Sequence, residues 1–174
     1  MSTLTLKELS APTGEVIKIA AGKTLDLKSQ GTTTLPTGSV LQVQYMTHNT
    51  AVSSTSASFS DTGITVNITP SSTSSKVMIL TTIGGCGKSA AGNPYLRLQI
   101  VTGGGATHRF EGEGGYNASG GTQSFGACAG QYLDSPNSTS AVNYKIQMST
   151  AGGGTSSINN SASYSSITVM EIAG

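Results

Sequence analysis

The residues best equipped for chemistry in this 174-residue chain are few and scattered. Gly84-Gly85-Cys86-Gly87-Lys88-Ser89 ends like a phosphate-binding loop. That loop needs a glycine five positions before the one preceding the lysine, and Thr82 stands there. It also needs a helix starting at the Lys-Ser pair, so that backbone N–H groups and the helix dipole meet phosphate. Ser89-Ala90-Ala91-Gly92-Asn93-Pro94 cannot sustain one, and the stretch reads as a flexible turn. His108, Glu111 and Glu113 lie close together, and imidazole and carboxylate can share a metal. Only one histidine is there and glycines surround the carboxylates, so the segment reads as an exposed polar loop. His48 stands among polar residues and is expected in solvent.

Hydrolytic chemistry fares no better. A nucleophilic triad needs a Ser or Cys held by a base and an orienting acid. Ser and Thr number 50, so a serine by itself carries no information, and no Gly-x-Ser-x-Gly elbow sits between a strand and a helix. Paired carboxylates for glycoside hydrolysis would come from Asp61, Asp134, Glu111, Glu113 and Glu171. The usual sugar-stacking platform is thin, because Trp is absent and aromatics are 5%. No enzyme is expected, and no cofactor or metal. Cys86 and Cys128 are too few for a disulfide scaffold and lie among small residues, so buried free thiols are expected. Asn67-Ile68-Thr69, Asn117-Ala118-Ser119, Asn137-Ser138-Thr139 and Asn159-Asn160-Ser161 match the glycosylation sequon by chance in so hydroxyl-rich a chain.

Composition sets the class. A net charge of +1 gives no field to draw in nucleic acid or anionic lipid. No run approaches the length of a membrane-spanning helix, and Met-Ser-Thr-Leu-Thr-Leu-Lys-Glu lacks the regions of a signal peptide. No window of good helix formers repeats with a helical period. Thr, Val, Ile and Ser dominate, with Gly/Ser/Asn clusters at short intervals, which is the punctuation of an all-β chain.

Two regions emerge. Seven of the 17 charged residues fall in positions 1–28. There Leu4 and Leu6, Ile17 and Ile19, and Leu25 and Leu27 each share one side of a short alternating segment. A boundary is placed in the Gly-Thr-Thr-Thr-Leu-Pro-Thr-Gly stretch, giving a β-rich arm over 1–38 and a second domain over 39–174. An arm this short cannot bury enough surface alone, so it is expected to be completed by other chains or by the main domain, with its six apolar residues as the oligomerisation candidates.

The second region alternates repeatedly. Val40–Thr47 sets Leu41, Val43 and Tyr45 against Gln42 and Gln44. Gly63–Thr69 aligns Ile64, Val66 and Ile68; Tyr95–Val101 aligns Leu96, Leu98 and Ile100; Ala141–Met148 aligns Val142, Tyr144, Ile146 and Met148. Lys76–Ile83 is apolar almost throughout, which predicts cover on both faces. Gln123–Leu133 is a weaker strand, and Ser165–Ile172 sets Ile167, Val169 and Glu171 against Thr168, Met170 and Ile172. Seven or eight such strands predict a jelly-roll-like antiparallel β-sandwich.

Ser2-Thr3-Leu4, Gly22-Lys23-Thr24-Leu25-Asp26-Leu27 and Leu35-Pro36-Thr37-Gly38-Ser39-Val40-Leu41-Gln42-Val43 together resemble virion proteins of tailed phages, particularly those infecting marine bacteria and cyanobacteria. Phe59-Ser60-Asp61-Thr62-Gly63-Ile64-Thr65-Val66-Asn67-Ile68-Thr69-Pro70, Ser74-Ser75-Lys76-Val77-Met78-Ile79-Leu80, Tyr95-Leu96-Arg97-Leu98 and Ser166-Ile167-Thr168-Val169-Met170-Glu171-Ile172-Ala173-Gly174 continue the resemblance over most of the chain. It implies an oligomeric, often trimeric, tail-fibre-like protein at the particle surface, made in the host cytoplasm. Its partners would be its own copies, other capsid or tail proteins, and a host-surface glycan or protein.

Two alternatives stand beside a fibre. One is a capsid decoration protein that clamps shell subunits. The other is a carbohydrate-binding, lectin-like module whose glycine-rich loops present Tyr116, Asn117, Tyr132 and Asn137 to a glycan.

Overall fold

A computed structural model describes residues 21–24, 35–89, 95–110 and 123–174. The chain divides into two units, Met1–Thr34 and Leu35–Gly174, and the architecture below is that of the second. It carries β1 (Val40–His48), β2 (Val52–Ser54), β3 (Ser60–Ile68), β4 (Lys76–Ser89), β5 (Tyr95–Val101), β6 (Thr107–Arg109), β7 (Gln123–Asp134), β8 (Val142–Ala151), β9 (Thr155–Ile158) and β10 (Ser165–Ile172). A 3-10 turn, Asn160–Ala162, precedes β10.

The strands form two antiparallel sheets. Sheet A runs β1-β10-β4-β9-β2, with β7 also paired to β4; sheet B runs β3-β8-β5-β6. The pairings are nested: β1 with β10, β3 with β8, β4 with β7 and β5 with β6. One long hairpin folded over itself produces that nesting, so the sandwich is jelly-roll-like, as the alternation predicts.

Burial follows the alternation. Ile64, Val66 and Ile68 from β3, Leu96, Leu98 and Ile100 from β5, and Val142, Tyr144, Ile146 and Met148 from β8 face inward and are buried. They meet Val77, Ile79 and Ile83 of β4 and Ile167 and Val169 of β10. Removing this surface from water at about 25 cal/mol per Å2 is the main term holding the two sheets together. Tyr144, a fully buried phenol, donates to Asp134 Oδ2 at 2.8 Å. Burial first, then the adjacent carboxylate, pushes that phenol well above its ordinary range.

Two expectations fail in β4. Gly84–Ser89 is not a turn but the second half of a 14-residue strand. The register shifts between Ile83 and Cys86, and Gly85 takes φ +57° there. This bulge moves β4 off β10 and onto β9, where Gly87 pairs with Ser157. Gly84 is required because a Cβ would collide with the Tyr164 carbonyl oxygen. The second failure concerns cover. Val77, Ile79 and Ile83 are buried, but Leu80 on the opposite face is 38% exposed.

Candidate functional site

The residues singled out for chemistry are taken up by structure. Lys88 lies in strand β4 and is buried, with no helix beginning beside it. His108 is not in an exposed loop: it sits in β6, and its ring stacks on Tyr132 with centroids 3.3 Å apart. Glu111 and Glu113 lie outside the described residues. His48 is half-buried rather than solvated, because its Nδ1 meets Asn159 Nδ2 at 3.2 Å. Among the described residues no three His, Cys, Asp or Glu gather into a metal-binding group, and no helix is long and apolar enough to cross a membrane.

Each described carboxylate from the sequence reading has a local task. Asp61 accepts from Lys145 Nζ at 2.8 Å and Gln147 Nε2 at 2.6 Å. The Lys145 hydrogen bond, helped by Gln147, holds its carboxyl below the usual range. Asp134 caps Tyr144 as above. Glu171 is fully buried and takes four hydrogen bonds, from Ser71 N and Oγ, Ser75 Oγ and Gln42 Nε2, at 2.6–2.7 Å. Burial pushes its carboxyl up, but the donors outweigh that and hold it at about 2.

Both cysteines are free thiols, Cys86 buried and Cys128 half-buried on the adjacent strand β7. Of the loop candidates, Tyr132 lies in β7 under His108, not on a loop. Asn137 is exposed in the β7–β8 connection, where its Nδ2 donates to Ser135 O at 3.0 Å. Tyr116 and Asn117 lie outside the described residues, as do Leu4, Leu6, Ile17, Ile19, Leu25 and Leu27.

The informative surfaces are the two outward faces of the sandwich, and they are opposites. On sheet B the register aligns Arg109, Gln99, Gln147 and Asp61 across all four strands. Their side chains form a ladder in which Gln99 Nε2 donates to Gln147 Oε1 at 2.8 Å and Gln147 donates on to Asp61. Asn143 Nδ2 extends the polar surface by donating to Thr65 Oγ1 at 2.7 Å and Asn67 Oδ1 at 2.8 Å. Arg97 and Arg109 both lie over the Phe59 ring, at 5.8 and 5.4 Å. This face is polar along its central row, with Asp61 exposed and Gln99 buried.

On sheet A the corresponding row is Val43, Met170, Met78 and Leu133, apolar on all four strands. Val43 is 50% and Leu133 44% exposed. The next row is Tyr45, Thr168, Leu80 and Gln131, with Tyr45 73% exposed. Leu41 joins them on β1, whose glutamines Gln42 and Gln44 occupy the other side. Two rows across four strands about 4.8 Å apart give a plan area of roughly 260 Å2. Contiguous apolar patches of a few hundred Å2 often mark interaction sites. Lys76 pairs with Ile172 at the border of these rows.

Beyond a third row, Thr47, Ser166, Thr82 and Ala129, the face changes character. The β4 bulge leaves a trough of about 790 Å3, floored by Gly84, Gly85 and Gly126 and walled by residues 160–164. Asn159, Ser161 and Ala162 all take positive φ, between 54° and 59°. Each such non-glycine residue costs roughly 1–3 kcal/mol, so the wall must be held from outside. Asn159 does this: its N–H donates to Gly84 O at 2.8 Å, its Nδ2 to Thr50 O at 3.0 Å, and its Oδ1 accepts from Ser165 Oγ at 2.5 Å. No sequence signal marks the trough, since it is made of Gly, Ser and Asn in a chain full of them.

No family model and no characterised protein sequence matches the chain. Among solved structures it is similar to the VP2 subviral particle of infectious bursal disease virus, with a TM-score of 0.42 and 13% identity over 87% of this chain and 37% of that one. Similar values hold for the Gx strain of the same virus, with a TM-score of 0.40 and 14% identity over 85% and 36% of the two chains. For the T13 viral particle of that virus the TM-score is 0.40 and the identity 11%, over 87% and 40%. The chain therefore spans well under half the length of each.

Proposed function

We propose that this chain is a structural subunit of a virus particle: a self-associating, trimeric, fibre-like appendage on the surface of a tailed-phage virion. The observation that carries the reading is the uncovered apolar row Val43–Met170–Met78–Leu133 on sheet A, set against the hydrogen-bonded polar row on sheet B. A sheet with one wetted side needs an alternation of apolar and polar residues. β4 does not alternate, so its outward Met78 and Leu80 call for a cover that the described residues do not supply.

The partner that fits is a second copy of this chain. The rows carry no charge, so three copies can turn this face toward a common axis without like-charge repulsion, and an oppositely charged partner would find nothing to pair with. A plan area of about 260 Å2 fits the apolar core of an interface whose polar rim makes up the rest of about 800 Å2 per partner. β1 adds an edge of nine residues without charge or proline, and its free side pairs with no other described strand. The trimeric state, the fibre and the phage come from the sequence resemblance, as does adhesion to a host.

The test is the mass in solution of the full-length chain by light scattering, for wild type and for Val43→Glu. The expected result is three times 17.5 kDa for wild type, and a folded monomer for the variant. A monomeric wild type, or a variant that stays fully trimeric, overturns the reading.

A further inference from the structure

We propose that the trough between the Gly84–Gly85 bulge and residues 160–164 binds a neutral saccharide. Its volume, about 790 Å3, falls within the range of small-ligand sites. Its lining carries no charged side chain. Phosphate, sulfate and acidic sugars therefore have no counter-ion there, and a cationic ligand has no carboxylate.

What the lining offers is amphipathic in the way a sugar is. Ser124, Ser161 and Ser163 contribute hydroxyls that can both donate and accept. Asn160 spends its Nδ2 on Ser157 Oγ at 2.6 Å, which leaves its amide oxygen to accept from a ligand hydroxyl. Tyr164 is 67% exposed, and among the described residues its ring has no stacking or hydrogen-bond partner. A flat aromatic face with a polar tip suits the C–H face of a pyranose ring. Gly126 leaves its backbone open to a ligand ring, since an added Cβ there would meet nothing within 4 Å, whereas Gly84 and Gly85 let residues 160–164 pack against β4.

The wall is braced at its first residue: left-handed Asn159 is held by hydrogen bonds to Gly84, Thr50 and Ser165, and the Ser163 N–H closes the turn on Asn160 O at 3.1 Å. Preorganisation of this kind lowers the ordering cost that weakens most sugar sites. The trough starts at the hydroxyl row, whose Thr82 and Ser166 line it, and so abuts the apolar row Tyr45–Thr168–Leu80 without including it.

The experiment is saturation-transfer NMR on the full-length protein with glucose, galactose, mannose and N-acetylglucosamine as separate probes. N-acetylneuraminic acid supplies the acidic comparison. At least one neutral probe is expected to show transfer. Tyr164→Ala should weaken it tenfold or more, and Ser124→Trp, which fills the trough, should abolish it, both at unchanged melting temperature. Asn137→Ala, on the β7–β8 connection, should leave it intact. Transfer to none of the neutral probes, transfer to the acidic sugar alone, or transfer indifferent to both trough variants would overturn the proposal.

Discussion

Glu171 Oε1 accepts both the backbone N–H and the hydroxyl of Ser71, at 2.7 and 2.6 Å, across 100 positions of sequence. The bond pair ties the β3–β4 connection to the last strand. Ser75 and Gln42 complete the set, so a carboxylate that is fully buried is satisfied by four neutral donors. Acceptors of this kind make the strong class of hydrogen bond, and leaving their donors unpaired is costly.

Acid should expose that dependence. The Glu171 carboxyl is held at about 2 against an ordinary 4.5. A depressed folded value contributes stability that is complete above about 4.5 and lost as pH falls toward 2. Glu171→Gln is expected to cost about 2 kcal/mol at neutral pH, because it turns acceptors toward donors and removes the charge. Urea titrations at several pH values should show the wild-type and variant stabilities converging below pH 4.5. Parallel curves would mean the carboxylate is not the group that titrates.

Neighbours on β4 offer a sharper test of which face needs cover. Ile79 is fully buried and Leu80 is 38% exposed, one residue apart. Ile79→Ala should cost about 2–5 kcal/mol by leaving a cavity in a packed core. Leu80→Ala should change the stability of a dilute monomer by no more than about 0.5 kcal/mol. It should nonetheless weaken self-association measurably in sedimentation velocity. If Leu80→Ala destabilises the monomer as much as Ile79→Ala, the outward face is covered within the chain.

This pair also marks what sequence can and cannot tell. Alternation puts Ile64, Leu98, Tyr144 and Val169 on common faces with their neighbours, and all are buried. It puts Leu41, Val43 and Tyr45 on a common face equally well, yet that face points to solvent. Period tells which residues travel together, and the pairing partners decide which side is inside. Glu171 was legible as the companion of Ile167 and Val169, but its donors at Gln42, Ser71 and Ser75 lie about 100 positions away. β2, β6 and β9, of three or four residues each, are too short to show a period.

The two thiols should differ in reactivity. The contact with Cys128, together with burial, pushes the Cys86 thiol up, and the same contact holds Cys128 down. Iodoacetamide on the native protein at neutral pH should therefore label Cys128 first, with Cys86 labelled only on unfolding, as read by peptide mass. Equal labelling of both in the native state would contradict the burial of Cys86.

Gly84 tests the link between the bulge and the trough wall. A Cβ there meets the Tyr164 carbonyl oxygen, and one at Gly85 meets the Asn160 backbone in a left-handed conformation. Backbone atoms cannot rotate away as a flexible side chain would, so either the strand or the wall must move. Gly84→Ala is expected to cost about 2 kcal/mol or more, the range of strained or overpacked substitutions. The damage should be local. Amide shifts at 159–165 should move while those of the sheet B ladder, around Gln99 and Gln147, stay in place. Gly104, with nothing within 4 Å of an added Cβ, is the control, and Gly104→Ala should leave both stability and spectrum close to wild type. Were Gly84→Ala as harmless as that control, residues 159–164 would not be braced against β4, and the rigid wall of the trough would lose its physical basis.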